Sequence, residues 1–363
     1  MSKVLKRVLV AILAVISFIV IAFIVLYFSR FQTIETIEKL TNYEEYNIYK
    51  MDVMYNYDLD KVIDHGITDT QSMINSVVKE SLPYLPVKIK VPSFGCSAFS
   101  VQDTNGDSLM GRNYDFKYNT SALMVYCKPK GGYKSVAFAA LNNISADDPE
   151  AGLKKKMACL TAPFICLDGM NEKGVSMAVL TLDSEPTYQQ TGKPVIATSL
   201  AIRLVLDNAA STEEAIELLN KYDMLAVNGR DYHFYITDAS GDSRVVEYDC
   251  NSGIRETVVT PSRSVTNFFI MYKDLVLPNQ HNDPYGHGRE RYDSMEAIFD
   301  ANEENITKDI AWEALKASSQ APKEGDVTSN TQWSILYDNT TRTANIVLRR
   351  DWNSPVSFNV SDN

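Results

Sequence analysis

The chain has 363 residues, enough for one large domain or two of ordinary size. Apolar residues make up 45% and charged residues 22%, which excludes a disordered or collagen-like chain. The 35 lysines and arginines against 46 acids give a net charge of −11, which argues against an electrostatic surface for nucleic acid.

An uncharged apolar run, Val8 to Phe28, lies near the start of the chain. As a helix it would be about 31 Å long, enough to cross a bilayer core. It is longer than the apolar region of a signal peptide, and no small-residue cleavage site follows it. We therefore predict an uncleaved transmembrane anchor within residues 1–30, which excludes a purely cytosolic protein. Three cations precede the run and two follow it closely, which favours a cytoplasmic N-terminus and an extracytoplasmic remainder.

The segment between the anchor and the first hairpin, residues 31–95, is predicted to be partly ordered. Residues 31–45 are typical of a short juxtamembrane helix or stalk. The alternation from Tyr49 to Tyr55 indicates a strand. Asp69 is a candidate N-cap for a helix that Pro83 ends.

Paired strands dominate from Cys96 onward, followed by helices and then by strands again. The predicted hairpins join 97–102 to 108–114, 122–128 to 134–141, and 164–167 to 175–182. The predicted helices cover 198–208, 212–221, 290–302 and 308–318, and later strands cover 233–237, 244–248, 333–337 and 344–349. This order excludes the strict alternation of a doubly wound sheet and favours two largely antiparallel sheets with helices outside. We count one domain, residues 96–363, after the anchor.

Several catalytic signatures are absent from the sequence. It contains no G-x-S-x-G, H-E-x-x-H, P-loop or G-x-G-x-x-G motif. No histidine has an obvious nucleophile partner, and His233 within an aromatic strand is predicted to be a packed side chain. The five cysteines show no zinc-binding spacing, so each would be a small buried hydrophobe unless its neighbours indicate otherwise. Only Cys96 has such neighbours.

Cys96 opens the first hairpin, and Arg112 and Asp115 return beside it on the second strand. A guanidinium close to a thiol favours the thiolate, which is the nucleophilic form of cysteine. A carboxylate at the same end could hold an amine. A buried cysteine with an ordinary Arg/Asp pair is the alternative interpretation of the same residues.

The sequence resembles the linear-amide C–N hydrolases, which include choloylglycine (bile salt) hydrolases, penicillin V acylases and related acyltransferases. Three segments carry the resemblance: Gly95-Cys96, Gly111–Phe116 and Asp168–Gly174. The resemblance extends from Cys96 to about Trp352. It implies an N-terminal-nucleophile hydrolase fold, an αββα sandwich of two largely antiparallel sheets, here preceded by one transmembrane helix.

The resemblance also implies a mechanism in which Cys96 becomes the first residue of the mature chain. Cys96 would attack an amide carbonyl, with its own freed α-amine as general base. Arg112 would hydrogen-bond the thiolate and Asp115 would fix the amine. Asn267 would line the oxyanion hole, and Arg291 matches a later Arg-aromatic pair, although Arg289 leaves that register open.

The resemblance departs from the bile-salt branch at Thr181, where that branch has asparagine, so bile-salt cleavage is in doubt. Threonine could replace a backbone donor without loss, or alter specificity if the side chain orients substrate. Scission at Gly95–Cys96 is required to free the amine. Because residues 46–82 look foldable, we expect two pieces that stay associated.

The sequence therefore predicts a membrane-anchored, extracytoplasmic amidase that hydrolyses a linear amide of an N-acylated small molecule. Thiol and amine supply the chemistry, so no metal or organic cofactor and no nucleic-acid partner is expected. Two alternatives stay open. One is an acyltransferase that passes the acyl group to an amine, and the other is an unprocessed, membrane-tethered binding protein.

Overall fold

The computed structural model describes residues 3–85, 95–280, 283–322 and 330–362. The eight α-helices of these residues are α1 Lys3–Glu35, α2 Leu59–Asp64, α3 Thr70–Ser81, α4 Leu153–Cys159, α5 Thr198–Asn208, α6 Thr212–Leu219, α7 Arg289–Ala301 and α8 Lys308–Ser318. Its strands are β1 Glu38–Lys39, β2 Ile48–Asp52, β3 Gly95–Gln102, β4 Ser108–Asp115, β5 Ala122–Cys127, β6 Ser135–Ala140, β7 Asp168–Asn171, β8 Ser176–Leu182, β9 Val195–Ala197, β10 Asp223–Leu225, β11 Asp231–Thr237, β12 Ser243–Tyr248, β13 Thr257–Pro261, β14 Ser264–Val265, β15 Asn267–Phe268, β16 Gly286–His287, β17 Thr331–Asp338, β18 Thr343–Leu348 and β19 Val356–Asn359.

Two large sheets form the centre of the molecule. One has the order β1-β2-β5-β6-β7-β8-β11-β12-β13, and the other has the order β14-β3-β4-β17-β18-β19. All pairs in the two sheets are antiparallel except β2 with β5. Helices α5 and α6 pack on the first sheet, while α7 and α8 pack on the second. The predicted αββα arrangement is confirmed.

The β3–β4 hairpin shows how sequence alternation fills the two sides of its sheet. Phe99 and Leu109 lie in the cluster that packs against Met295 of α7 and Leu315 of α8. Cys96 belongs to the large core cluster instead. Because successive side chains of a strand point to opposite faces, this alternation turns Cys96 toward the other sheet.

The amino-terminal part differs from a simple tether. Helix α1 continues unbroken to Glu35, so the separate juxtamembrane helix or stalk predicted for residues 31–45 is wrong. The residues that follow α1 form β1 and β2, and β2 pairs with β5 in the nine-stranded sheet. The predicted helix after Asp69 is confirmed, with the Asp69 carboxylate accepting the backbone N–H of Ser72.

Three other predictions need comment. The first two hairpins are confirmed, whereas the third has shifted: residues 162–164 form a 3₁₀ turn and the strand runs from Asp168 to Asn171. Residues 164–167 are apolar and buried, which is typical of a strand in sequence, but they do not form a strand. The predicted packed state of His233 is confirmed, since it is fully buried.

Candidate active site

The site begins with the pairing of β3 and β4. Their register places Cys96 opposite Tyr114 and Ala98 opposite Arg112, so Cys96 and Arg112 lie diagonally on one face. Gly111 lies opposite Phe99, and a Cβ at Gly111 would lie 2.2 Å from the Phe99 ring. The glycine of the Gly111-Arg112-Asn113 motif is therefore required by packing behind the site.

The Cys96 thiol is fully buried. Burial raises the pKa of the Cys96 thiol to about 11, while the charge and hydrogen bond of Arg112 act in the opposite direction. The effect of burial on the pKa therefore outweighs that of the guanidinium, and the protonated thiol is the favoured form near neutral pH.

Arg112 is held between the two sheets. Its Nη1 donates to the Asn113 carbonyl at 2.7 Å, its Nη2 donates to the Val179 carbonyl at 2.9 Å, and its Nε lies 3.5 Å from Asp168 Oδ2. Asp168 also accepts a hydrogen bond of 2.6 Å from the Tyr337 hydroxyl. Asp168 opens the segment that carried the family resemblance, but its role as the counter-charge of Arg112 was not foreseen. An acid at the start of a strand made otherwise of Gly, Met and Asn was the available signal.

The N–H and the carbonyl of Cys96 are both hydrogen-bonded to side chains. Its N–H donates to Asn267 Oδ1 at 2.9 Å, and its carbonyl accepts from Arg291 Nη1 at 2.8 Å. Arg291 Nη2 also donates to Asn267 Oδ1, at 2.8 Å. One asparagine oxygen thus joins the Cys96 backbone to Arg291.

Thr181 completes this arrangement in a way that neither sequence alternative described. Asn267 Nδ2 donates to the Thr181 carbonyl at 2.9 Å and lies 3.2 Å from the Thr181 hydroxyl. Two donors on the oxygen side and two acceptors on the nitrogen side fix which way the amide points. Thr181 therefore positions Asn267.

Asp115 lies beside Arg291 but does not contact the Cys96 N–H, which is bound by Asn267. Its carboxylate accepts from the Thr331 hydroxyl at 2.6 Å and from Gln320 Nε2 at 2.7 Å, and Arg291 Nη1 lies 3.5 Å away. Thr331 and Gln320 follow Asp115 by about two hundred residues, so nothing local in the sequence marked them.

The structure resolves the register of the arginine pair. Arg291 points inward, whereas Arg289 forms a 2.7 Å ion pair with Asp293 along α7. Gly288 precedes them with a φ of +89°, and a Cβ there would lie 2.3 Å from Arg291 Nη2. Glycine thus provides both the left-handed backbone and the space that Arg291 needs.

A buried histidine and glutamate hold the segment that carries Asn267. His233 Nε2 lies 2.9 Å from the Thr266 carbonyl and Nδ1 lies 3.0 Å from Glu247 Oε1. Glu247 also accepts the backbone N–H groups of Ile270 and Met271 at 2.7 and 2.9 Å. Both sides of Asn267 are therefore fixed by the hydrogen-bonded pair of His233 and Glu247.

A small cavity adjoins Val179, whose carbonyl accepts a hydrogen bond from Arg112. Tyr232, Asn143 and Val179 help to line this cavity of about 20 Å³, room for about one water molecule. Among the described residues no group of three or more potential metal ligands occurs, and none of the five cysteines, all described, forms a disulfide.

The six residues predicted for the site, Cys96, Arg112, Asp115, Thr181, Asn267 and Arg291, meet at one end of the two sheets, and Gly95 lies at the start of β3. They come from β3 and β4 of one large sheet, from β8 of the other, from the short strand β15 and from α7.

The two packed sheets with helices outside form the fold expected of an N-terminal-nucleophile hydrolase, and comparison with solved structures gives the same fold. A variant of the conjugated bile acid hydrolase from Clostridium perfringens matches with a TM-score of 0.55 and 16% identity, over 74% of this chain and 93% of that chain. Penicillin V acylase from Agrobacterium tumefaciens matches with a TM-score of 0.52 and 19% identity, over 72% of this chain and 85% of that chain.

Sequence comparison adds the family. The model of linear amide C–N hydrolases, choloylglycine hydrolase family, matches residues 96–255. Penicillin V acylase of Pectobacterium atrosepticum is 33% identical over 93 residues, which are 22% of this chain and 24% of that protein, so the match spans about a quarter of the relative's length. Residues 96–255 of the chain are therefore similar to the choloylglycine hydrolase family of linear amide C–N hydrolases.

Proposed function

We propose that this protein is an N-terminal-cysteine amidase that hydrolyses a linear amide bond in an N-acylated small molecule. The observation that carries the proposal is the double hold on the Cys96 backbone. Asn267 takes its N–H and Arg291 takes its carbonyl, at 2.9 and 2.8 Å, beside a thiol that faces Arg112. A purely structural cysteine in a strand would need ladder hydrogen bonds and no such side-chain contacts.

We propose that the site is made by scission of the Gly95–Cys96 bond. The Cys96 sulfur attacks the Gly95 carbonyl carbon, the peptide C–N bond breaks, and the nitrogen takes up the thiol proton. Water then hydrolyses the resulting thioester and releases a Gly95 carboxylate. The amide nitrogen that now donates to Asn267 Oδ1 becomes an α-amine held by the same oxygen.

In the mature site the α-amine takes the thiol proton as Cys96 attacks the substrate carbonyl. The C–N bond of the substrate breaks, its amine leaves with a proton, and water hydrolyses the acyl-cysteine to a carboxylic acid. Arg112 favours the thiolate once the site is wetter. Asp115, reached through Arg291, stabilises the charged amine, and Asn267 or its neighbours stabilise the oxyanion.

We further propose that the piece before Cys96 stays bound after scission. Strand β2 lies between β1 and β5, next to the edge of the nine-stranded sheet, and the side chains of Met51, Val62, Met73 and Val77 are fully buried in the common core. Such burial contributes roughly 1.5–3 kcal/mol for each large apolar side chain. The two pieces would therefore separate only if the sheet came apart.

The amino-terminal helix supports anchoring at a membrane. Helix α1 is long and apolar enough to cross a bilayer, a property that a signal sequence shares. Its end is bound to the folded domain, since Arg30 Nε donates to the Ser81 carbonyl at 2.7 Å. We propose an uncleaved anchor with a cytoplasmic N-terminus and an extracytoplasmic catalytic domain.

The test uses penicillin V and a conjugated bile acid as probes, because relatives with these names share the family or the fold. Purified wild-type protein should release the carboxylic acid and the amine from at least one N-acyl amide, measured by mass spectrometry. Given Thr181, penicillin V should be the better probe. Cys96→Ala should release neither product, and Cys250→Ala is the matched control because its thiol is only partly buried and distant from the site. Turnover by Cys96→Ala at the wild-type rate would contradict the proposal.

A further inference from the structure

The C-terminal part of α1 is hydrogen-bonded to the folded domain at several positions along the helix axis. The Tyr27 hydroxyl donates to the Pro83 carbonyl at 2.5 Å, Arg30 Nη2 donates to the Glu80 carbonyl at 2.7 Å, and the Thr33 hydroxyl accepts the Met54 N–H at 2.9 Å. At 1.5 Å per residue, Thr33 lies about 9 Å beyond Tyr27 along the helix axis. The domain is thus fixed on α1 and cannot swing about a flexible linker.

This attachment sets the level of the turn that follows α3. The apolar run of α1 ends at Phe28, one residue after the contact with Pro83. If the run fills the hydrocarbon core, the Pro83–Leu85 turn lies where the hydrocarbon meets the headgroups.

The side chains in and around the Pro83–Leu85 turn are of the types found at a membrane interface. Tyr84 is 90% exposed and has a φ of +67°, an uncommon backbone state for a residue other than glycine. Phe28 and Phe31 on α1 are 60% and 41% exposed. Aromatic residues collect at membrane interfaces because their rings are apolar and their edges tolerate water. Lys79, exposed in the last turn of α3, adds a cation for lipid phosphate.

We propose that Tyr84 and the Pro83–Leu85 turn form a second membrane-contact site, which inserts into the headgroup region of the bilayer around α1. Together with α1 it holds the catalytic domain in one orientation on the membrane. This inference rests on the anchoring proposed above and not on the amidase activity. The piece that precedes Cys96 would then be tied to the bilayer at two points.

The test places the photo-crosslinking residue benzoylphenylalanine at single positions of the full chain carrying Cys96→Ala, reconstituted in vesicles of phosphatidylcholine and phosphatidylglycerol. The positions are Tyr84, Met54, Tyr118 as an exposed aromatic control, and Ile16 as the positive control within α1. Phospholipid adducts are counted by intact mass. Tyr118 is 58% exposed and lies in the β4–β5 connection. It is close to the residues where the parallel strands β2 and β5 begin, whereas α1 contacts the residues that follow β2.

We expect abundant adducts at position 16 and at least tenfold more at position 84 than at position 118. Position 54, about 9 Å higher along α1, should give an intermediate yield. Adducts at position 16 with equal yields at 84 and 118 would overturn the proposal, as would a protein–protein crosslink at 84 in place of lipid. Absence of adducts at position 16 would overturn both this proposal and the anchor. None of these three outcomes would affect the amidase proposal, since the Cys96→Ala chain used in the test is inactive by design.

Discussion

One of the hydrogen bonds between the two proposed pieces can be removed without changing the apolar packing around it. The Tyr57 hydroxyl, from the segment before Cys96, lies 3.0 and 3.1 Å from the two carboxylate oxygens of Asp207 in α5. Arg203 Nε lies 2.8 Å from the same carboxylate, and the group is buried. A hydrogen bond to a charged group contributes about 1.5–3 kcal/mol. Tyr57→Phe should therefore weaken association by about 2 kcal/mol, or roughly 30-fold.

The dissociation constant is measured on processed protein in detergent, with an affinity tag on the piece that begins at Cys96. Tyr55→Phe removes a bond to the neutral Leu160 carbonyl and should have a smaller effect, about 1 kcal/mol. Tyr118→Phe, at an exposed site, should have none. The same order is expected for urea unfolding of the uncut Cys96→Ala chain, so the test does not require scission.

The Tyr57 effect should also depend on pH. Burial raises the pKa of Asp207 to about 6, against the pull of Arg203 and of the Tyr57 hydroxyl. Below that pH the Asp207 carboxyl is protonated, so the hydrogen bond that Tyr57→Phe removes is one between two neutral groups. The difference between wild type and Tyr57→Phe should therefore shrink as the pH falls through 6. A loss no larger than that of Tyr118→Phe at pH 8 would refute the reasoning.

Three further predictions concern the site. With a pKa of about 11, Cys96 of the uncut chain should be alkylated by iodoacetamide at a rate that rises about tenfold per pH unit from 7 to 10, and a plateau near pH 8 would be inconsistent with the buried thiol. Asn267→Asp places a carboxylate against the Thr181 carbonyl and should lower kcat by about a hundredfold or more, whereas Thr181→Val removes only the more distant of two acceptors and should cost less than tenfold; equal losses in a steady-state assay would contradict the assigned amide orientation. Glu247→Gln should lower kcat about tenfold at unchanged KM, because it loosens the backbone on both sides of Asn267 without touching substrate, and a change in KM alone would argue against this positioning role.

Much of the fold could be predicted because its signals are local. Helix α3 was identified from its cap and its proline, since capping depends on neighbouring residues. The first hairpin was found for the same reason. The stalk predicted for residues 31–45 failed because β1 and β2 are stabilised by a sheet whose other strands lie far along the chain. No short window could reveal the parallel pairing of β2 with β5.

The site divides in the same way. Cys96, Arg112 and Asp115 lie within one hairpin, so their proximity follows from strand pairing. Asn267, Thr181 and Arg291 were located only through the resemblance to a family, because tertiary packing brings them together. The thiol was expected to be activated by Arg112. Sequence could not weigh that charge against complete burial, which raises the pKa instead.

Intact mass and N-terminal sequencing of the purified protein test the central claim most directly. Wild type should yield two chains that copurify, one of which begins at Cys96, while Cys96→Ala should yield a single uncut chain. Ser97→Ala, which alters the neighbouring residue and keeps the thiol, should be processed like wild type. Active wild-type protein that consists only of uncut chain would contradict the account.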